Sequence, residues 1–376
     1  RCILCQYCYF ACPRIDYPTV DKQIDAKVFP ADVGRDRKYA PEIGNYLECY
    51  SIRSRKNEFL EKATDGGVVS TFLAYALQEG FIDCGVATTL SKDKPWLGVP
   101  KVALTKSELL ETVGTSYNIS PMHEGLREAA EEFDKHKIGF VGLPCQVIPV
   151  RKMQDTDYGY LIYGNRVSLT IGLFCAGAFY YDGFVDGYLA KEKGIDPKKI
   201  SKMDIKHNHF LVEAQGQRVL DVPLKEINQY KRDNCHACPY GFSADVADIS
   251  VGAVGSLEGW TTVLVRTEIG RKVVEGAASA GFIEVKPLEE QGGLSEVARL
   301  EAIKKKRFEK WTQAHPAPQF EPVGLAFGAY QQSKTASQQT AKPSTATAPA
   351  QSPSSEKQTA GQPKSQTTQS KDSHKT

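Results

Sequence analysis

No stretch of this 376-residue chain is both long and apolar enough to cross a bilayer. The longest uncharged run, Val167–Tyr181, spans fifteen residues and is interrupted by Ser168, Thr170 and two glycines, which excludes a helical span and predicts a buried strand with its following loop. Charge of one sign is lacking too. Lys and Arg number 47 against 45 Asp and Glu, for a net charge of +2, so nucleic acid is not an expected partner. No secretory signal is visible, and the ten cysteines fall mostly in CxxC-type spacings rather than scattered through a short secreted chain. Both features predict a reducing, cytoplasmic setting with thiols used for metal ligation. Between Gln331 and Thr376 there is no Leu, Ile, Val, Phe, Tyr or Trp. Such a segment cannot bury enough apolar area to offset chain entropy and is expected to be a disordered polar tail. Its six Lys against Glu356 and Asp372 give a net +4, which leaves the body before it near −2 of the whole-chain +2.

What is present is concentrated in cysteines and glycines. Cys2-Ile-Leu-Cys5-Gln-Tyr-Cys8-Tyr-Phe-Ala-Cys12-Pro13 matches the C-x2-C-x2-C-x3-C-P run of bacterial ferredoxins at every position. In that run three closely spaced thiolates hold one [4Fe–4S] cube and the cysteine before proline serves a second. A zinc knuckle is the bland alternative, disfavoured because zinc sites pair their ligands as two separated couples. No partner motif lies downstream at the expected spacing, so a first motif upstream of Arg1 is expected; Cys49, in a strand-like segment, reads as a core residue.

The stretch Asn234–Trp260 opens with Cys235-x-x-Cys238 and continues through Asp245 and Asp248 to Gly252, Gly255 and Gly259. A CxxC pair supplies soft ligands to one metal centre or a redox dithiol, and a glycine-rich strand end lets backbone N–H groups approach a flat or phosphorylated ligand. Two further cysteines, Cys145 and Cys175, follow predicted strands Ile138–Val141 and Val167–Leu173, at the carboxyl ends where open α/β sheets place ligands. Each alone reads as a buried structural thiol; with Cys235 and Cys238 they make the four that a cubane cluster requires. Asp65-Gly66-Gly67 precedes a helix over Thr71–Gln78, where exposed N–H donors suit an anion and where Asp65 as an ordinary N-cap is the competing reading. Helices over Met122–Phe133 and Ile269–Ala280, strands over Asp83–Thr89, Thr261–Arg266 and Phe282–Val285, and a hairpin over Ile200–Val222 turning near Gly216 complete an α/β pattern: a mixed sheet flanked by helices. Lys304–Arg307 lies on a terminal helix ending near Trp311, and a solvated face is its default reading.

In order along the chain, DGGVVS (Asp65–Ser70), GTSYN (Gly114–Asn118), VGLPCQ (Val141–Gln146), IGLFC (Ile171–Cys175), NCHAC (Asn234–Cys238) and ADISVGAVGS (Ala247–Ser256) resemble the coenzyme F420 hydrogenase/dehydrogenase beta-subunit family from Tyr46 to Trp311. The resemblance implies FAD beside one [4Fe–4S] cluster and hydride exchange with coenzyme F420. Position by position it implies Cys145, Cys175, Cys235 and Cys238 as cluster ligands. It likewise implies Asp65, Gly66, Gly67, Gly114, Thr115, Ser116, Tyr117, Gly252 and Gly255 as FAD contacts, with Ser116 standing where relatives often carry a basic residue. The ferredoxin-like segment ahead of this domain is similar to the input subunit of a membrane-associated dehydrogenase that oxidises reduced coenzyme F420 for a quinone or phenazine pool.

The expected organisation is therefore a ferredoxin-like segment over 1–40, a flavin- and cluster-binding domain over 41–330 and a tail over 331–376. The expected activity is oxidation of reduced coenzyme F420, with electrons passed through [4Fe–4S] clusters to the other subunits of a complex, on the cytoplasmic face of the membrane where that complex sits there. A deazaflavin gives up two electrons at once and clusters accept them singly, so a flavin must stand between them; no side-chain nucleophile or hydrolytic base is expected. The alternatives are a hydrogenase or formate dehydrogenase beta subunit, and a non-catalytic electron-transfer subunit whose cysteines bind structural metal.

Overall fold

The computed structural model describes residues 8, 11–13, 37–288 and 293–315. Cys2, Cys5, most of the segment 1–40 and the tail 331–376 lie outside the described residues.

A mixed sheet of eight strands organises the domain. Its centre is parallel, with β2 (Cys84–Leu90), β4 (Ile138–Gly142), β5 (Val167–Leu173) and β9 (Ile249–Gly252) side by side. Antiparallel strands extend it, β3 (Gly98–Ala103) on one side and β10 (Thr261–Val265), β1 (Glu48–Ser54) and β11 (Ile283–Pro287) on the other. The full order is β11-β1-β10-β9-β5-β4-β2-β3.

The period-two alternation of the central strands explains why both faces are covered. In β4, Val141 joins one core while Ile138 and Phe140 join another; in β2, Ala87 and the pair Cys84 and Val86 divide the same way. The first core is roofed by helices α1 (Val68–Gln78) and α4 (Glu268–Ser279), which cross where a Cβ on Gly276 would sit 2.0 Å from the Tyr75 hydroxyl. Opposite lie α2 (Met122–Glu131) and α3 (Pro144–Asp155). Under the β1 and β10 end, α5 (Gly293–Ala314) packs Leu294, Val297 and Ala298 on Leu264.

A separate three-stranded antiparallel sheet, β6 (Ile200–Lys206), β7 (His209–Ala214) and β8 (Gln217–Pro223), forms its own core with a π-helical segment, Asp182–Glu192. The expected hairpin turn is present at Gly216, φ +75°. A second turn at His207 and Asn208, both with positive φ, adds a third strand. Asn and His both adopt that conformation more often than other side chains do, but neither marks a turn as plainly as glycine, so sequence pattern alone left this turn unread. Among the described residues, no helix is long and apolar enough to cross a membrane.

Candidate functional site

Three remote stretches bring cysteines together beyond the carboxyl ends of β4 and β5. Cys145 lies in the first turn of α3, which starts directly after β4 with Pro144, where a missing N–H costs no helical hydrogen bond. Cys175 follows β5, and its N–H donates to the Phe242 carbonyl at 2.9 Å. Cys235 sits in the one-turn helix Asp233–His236, and its sulfur accepts the Ala178 N–H at 3.4 Å. Cys238 packs with Cys145 against Val147, Tyr240 and Val246.

The four sulfurs share one electrostatic environment. Burial pushes the Cys145 thiol far above its usual range, and the charges of Cys175, Cys238 and Cys235 push it further. Burial likewise raises Cys175, against the opposing pull of Lys304 and the Gly177 N–H. As bare thiolates these groups would repel one another in a poorly solvated space; a cationic metal core reverses that balance. Among the described residues, no three His, Cys, Asp or Glu side chains close on a single ion. A cubane takes one thiolate at each corner and holds its ligands further apart than one ion does, so four cysteines drawn to one place without closing on a single ion are compatible with such a cluster.

The glycine loops converge on the neighbouring space. The Thr64 and Thr115 hydroxyls share a hydrogen bond at 2.9 Å, joining the Asp65–Gly67 and Gly114–Tyr117 loops. Asp65 is not the cap of α1: Gly67 holds that place at φ 67°, without a side-chain cap bond. Burial first, then the Asp204 carboxylate, pushes the Asp65 carboxyl up to about 6, with Lys206 and Lys202 opposing. Tyr117 is raised by burial and by Asp204 and Asp65. Lys202 Nζ donates to the Thr64 carbonyl at 3.4 Å, and Lys206 pairs with Glu258 beyond the Gly252 strand end. Sequence reasoning missed Lys202, Asp204 and Lys206. Their spacing of two on β6 was the available signal, since it puts all three on one face.

The predicted glycines differ in what they face. A Cβ on Gly66, Gly252 or Gly255 would strike the chain's own Ile52 carbonyl (2.6 Å), Phe174 ring (2.3 Å) or Gly293 carbonyl (2.7 Å), and the Gly66 N–H already donates to Thr261 Oγ1. At these three, close packing alone is enough to require glycine. Gly114, at φ +118°, faces open space, with the Lys62 carbonyl at 3.9 Å as its nearest neighbour. Two residues on, the Ser116 hydroxyl is buried with no hydrogen-bond partner, as are Ser120 Oγ and His123 Nε2. Orphaned buried polar atoms of this kind are what a bound ligand satisfies, and the open face at Gly114 leaves the Gly114–Tyr117 loop freer to meet one than the packing glycines are.

Two hydrogen bonds link this loop and the residues just after it to chain neighbours of the cysteine contacts. The Tyr117 carbonyl accepts the Phe179 N–H at 2.8 Å, one residue from the Ala178 N–H that meets Cys235; the Ser120 carbonyl accepts from Gln146 Nε2 at 2.7 Å, one residue from Cys145. Of the N-terminal motif, Cys8 is exposed and Cys12 half-buried. The Cys12 carbonyl accepts Lys152 Nζ at 2.8 Å.

The basic run on α5 departs from its default solvated reading. Lys304 is 4 % exposed, and its ammonium donates to the carbonyls of Cys175 (2.7 Å) and Gly241 (3.0 Å); both terminal nitrogens of Arg307 donate to the Ala176 carbonyl at 3.2 Å. Periodicity showed that the run lies on a helix, and only packing shows which neighbour covers it.

Comparison with known proteins gives two family models in tandem: coenzyme F420 hydrogenase/dehydrogenase beta subunit, N-terminal part, over residues 49–127, and its C-terminal part over 135–291. The coenzyme F420 hydrogenase subunit beta of Methanosarcina barkeri is 39% identical over 66% of this chain and 85% of its own. A subunit of the F(420)H(2) dehydrogenase of Methanosarcina mazei is 33% identical over 70% of this chain and 72% of its own. A chain of the F420-reducing [NiFe] hydrogenase complex from Methanosarcina barkeri superposes with a TM-score of 0.69 at 36% identity, covering 73% of this chain and 94% of that one.

Proposed function

The chain belongs to the coenzyme F420 hydrogenase/dehydrogenase beta-subunit family, and on that premise we propose that it oxidises reduced coenzyme F420 at a flavin held by the Gly114–Tyr117 loop and delivers single electrons to a partner complex through a [4Fe–4S] cluster on Cys145, Cys175, Cys235 and Cys238. The observation that carries this reading is a pair of hydrogen bonds accepted by the stretch 117–120: the Tyr117 carbonyl from the N–H of Phe179, which follows the Ala178 that meets Cys235, and the Ser120 carbonyl from Gln146, which follows Cys145. When bound, the flavin supplies two-electron hydride chemistry and the cluster one-electron transfer. The chain's own residues do the rest. Ser116 and Gly114 offer an unused hydroxyl and an open backbone face. The three-stranded sheet reaches the loops through Lys202, which donates to the Thr64 carbonyl, and the Ala178 N–H donates to the Cys235 sulfur and orients it.

An exit toward the ferredoxin-like segment, proposed over 1–40, follows α3. Cys145 stands at its start and Lys152, two turns later, grips the Cys12 carbonyl, a rise of about 10 Å. The N-terminal motif supports a membrane dehydrogenase as the partner, working on the cytoplasmic face. The higher identity to a hydrogenase beta subunit, 39% against 33%, favours a second reading in which the partner is a hydrogenase. Anaerobic titration with reduced coenzyme F420 and, separately, NADH decides the donor: bleaching of a flavin band by the first alone is expected, and a protein without flavin or acid-labile sulfide refutes the proposal. Co-purification from the native host identifies the partner complex.

A further inference from the structure

Around the four cysteines stand three cations that have no acidic partner among the described residues. Lys304 is almost fully buried, and its ammonium meets two neutral carbonyls, those of Cys175 and Gly241. Arg307, one turn further along α5, places its fork on the carbonyl of Ala176. Lys231 lies close by, within electrostatic reach of Arg307, Cys235 and Cys175. A Cβ on Gly177 would meet its Cδ at 3.3 Å and the Cys235 Cβ at 3.6 Å, so Lys231 and Cys235 flank the same glycine. Glu301 is on the same helix, but the cation it lies nearest, at 3.8 Å, is Lys305. That carboxylate is turned to the N–H groups of Phe242 (2.7 Å) and Ser243 (3.0 Å) and to the Ser243 hydroxyl.

A buried ammonium that faces only carbonyl dipoles carries a desolvation cost those dipoles do not recover. The remaining source of negative charge within reach is the cysteine centre, where four thiolates bring four charges and reduction adds one more. We propose, on the reading of this centre given above, that Lys304, Arg307 and Lys231 are its built-in counter-charges and set its reduction potential, with α5 as the element that carries two of them. Positive charge near a cluster favours its reduced form, so the potential rises with each cation held there. The same helix fixes the geometry. Glu301 pins the backbone of residues 242–243 and Lys304 bridges the two cysteine-bearing stretches, so Lys304 is a positioning residue as well as a charge.

The test is an anaerobic redox titration of the whole protein, followed by electron paramagnetic resonance and normalised to iron and acid-labile sulfide. Arg307→Gln and Lys231→Gln are expected to retain the cluster with midpoints shifted to lower potential than wild type. Lys304→Met is expected to shift furthest or to lose iron, and Lys304→Arg to restore both iron and midpoint. Lys306→Gln, on the exposed side of α5, is expected to leave the midpoint in place. Coincident midpoints in wild type, Arg307→Gln and Lys231→Gln at full iron content overturn this inference alone. A wild-type protein without acid-labile sulfide overturns the four-cysteine reading itself, and the inference with it.

Discussion

Asp248 lies between the CxxC and β9, and neutralising it should loosen the cysteine centre without touching a ligand. Its carboxylate is 5 % exposed and takes four bonds: Arg151 Nη2 at 3.0 Å, the Thr170 N–H at 2.7 Å, the Thr170 hydroxyl at 2.8 Å and the Thr267 hydroxyl at 2.8 Å. Arg151 is as deeply buried, and its remaining bonds include those to the Val246 carbonyl and Gln154. Asp248→Asn preserves the shape and the acceptor for Thr170 but strands the guanidinium. Breaking one side of a buried pair costs about 3–5 kcal/mol, roughly a hundred- to several-thousand-fold in the folding equilibrium and a large share of the about 5–15 kcal/mol that holds an ordinary domain together. The assay is anaerobic urea unfolding of wild type, Asp248→Asn, Arg151→Met and the double variant, with iron content measured alongside. The double variant leaves no charge to strand and is expected to be more stable than Asp248→Asn alone, while Asp248→Asn is expected to lose cluster iron as the loop after Cys238 loosens. A double variant no more stable than the single one, or an Asp248→Asn cost below about 1 kcal/mol, which is the scale of an exposed pair, would refute the reasoning.

Cys235→Ser is expected to remove about four irons per chain, the content of one cubane, with sulfide falling in parallel; unchanged iron would discard the ligand set. The Asp65 carboxyl, raised to about 6 by burial, binds a proton in the folded chain that the unfolded chain releases near pH ~4. Stability should therefore fall as pH rises from about 4 through 6, and Asp65→Asn should flatten that slope; parallel melting profiles of the two proteins across this window would contradict it. Gly252→Ala places a Cβ 2.3 Å from the Phe174 ring and is expected to cost about 1–3 kcal/mol in thermal or urea unfolding, whereas a wild-type stability would show that the ring moves freely.

Much of the α/β order was legible along the chain because it is local. Short uncharged, apolar runs marked β4 and β5, helical spacing marked α1, and CxxC spacing marked Cys235 and Cys238 as a pair. What spacing does not carry is which remote stretches meet. Cys145 and Cys175 are neighbours because β4 and β5 are adjacent parallel strands in the sheet, so their carboxyl ends open on one edge, and β9 beside β5 draws the stretch after Cys238 to the same place. Hydrophobic pattern determined that these strands exist; strand order, a property of the whole packed sheet, decided that their cysteines lie at the same edge. The same division separates the glycines and the lysines. Sequence named Gly66 and Gly252 as ligand contacts because a missing Cβ looks alike beside a cofactor or a Phe174 ring, and it read Lys304 as solvated because a helical period does not say what lies against each face. Burial is a relation between distant residues, so only the tertiary structure could turn that charge inward.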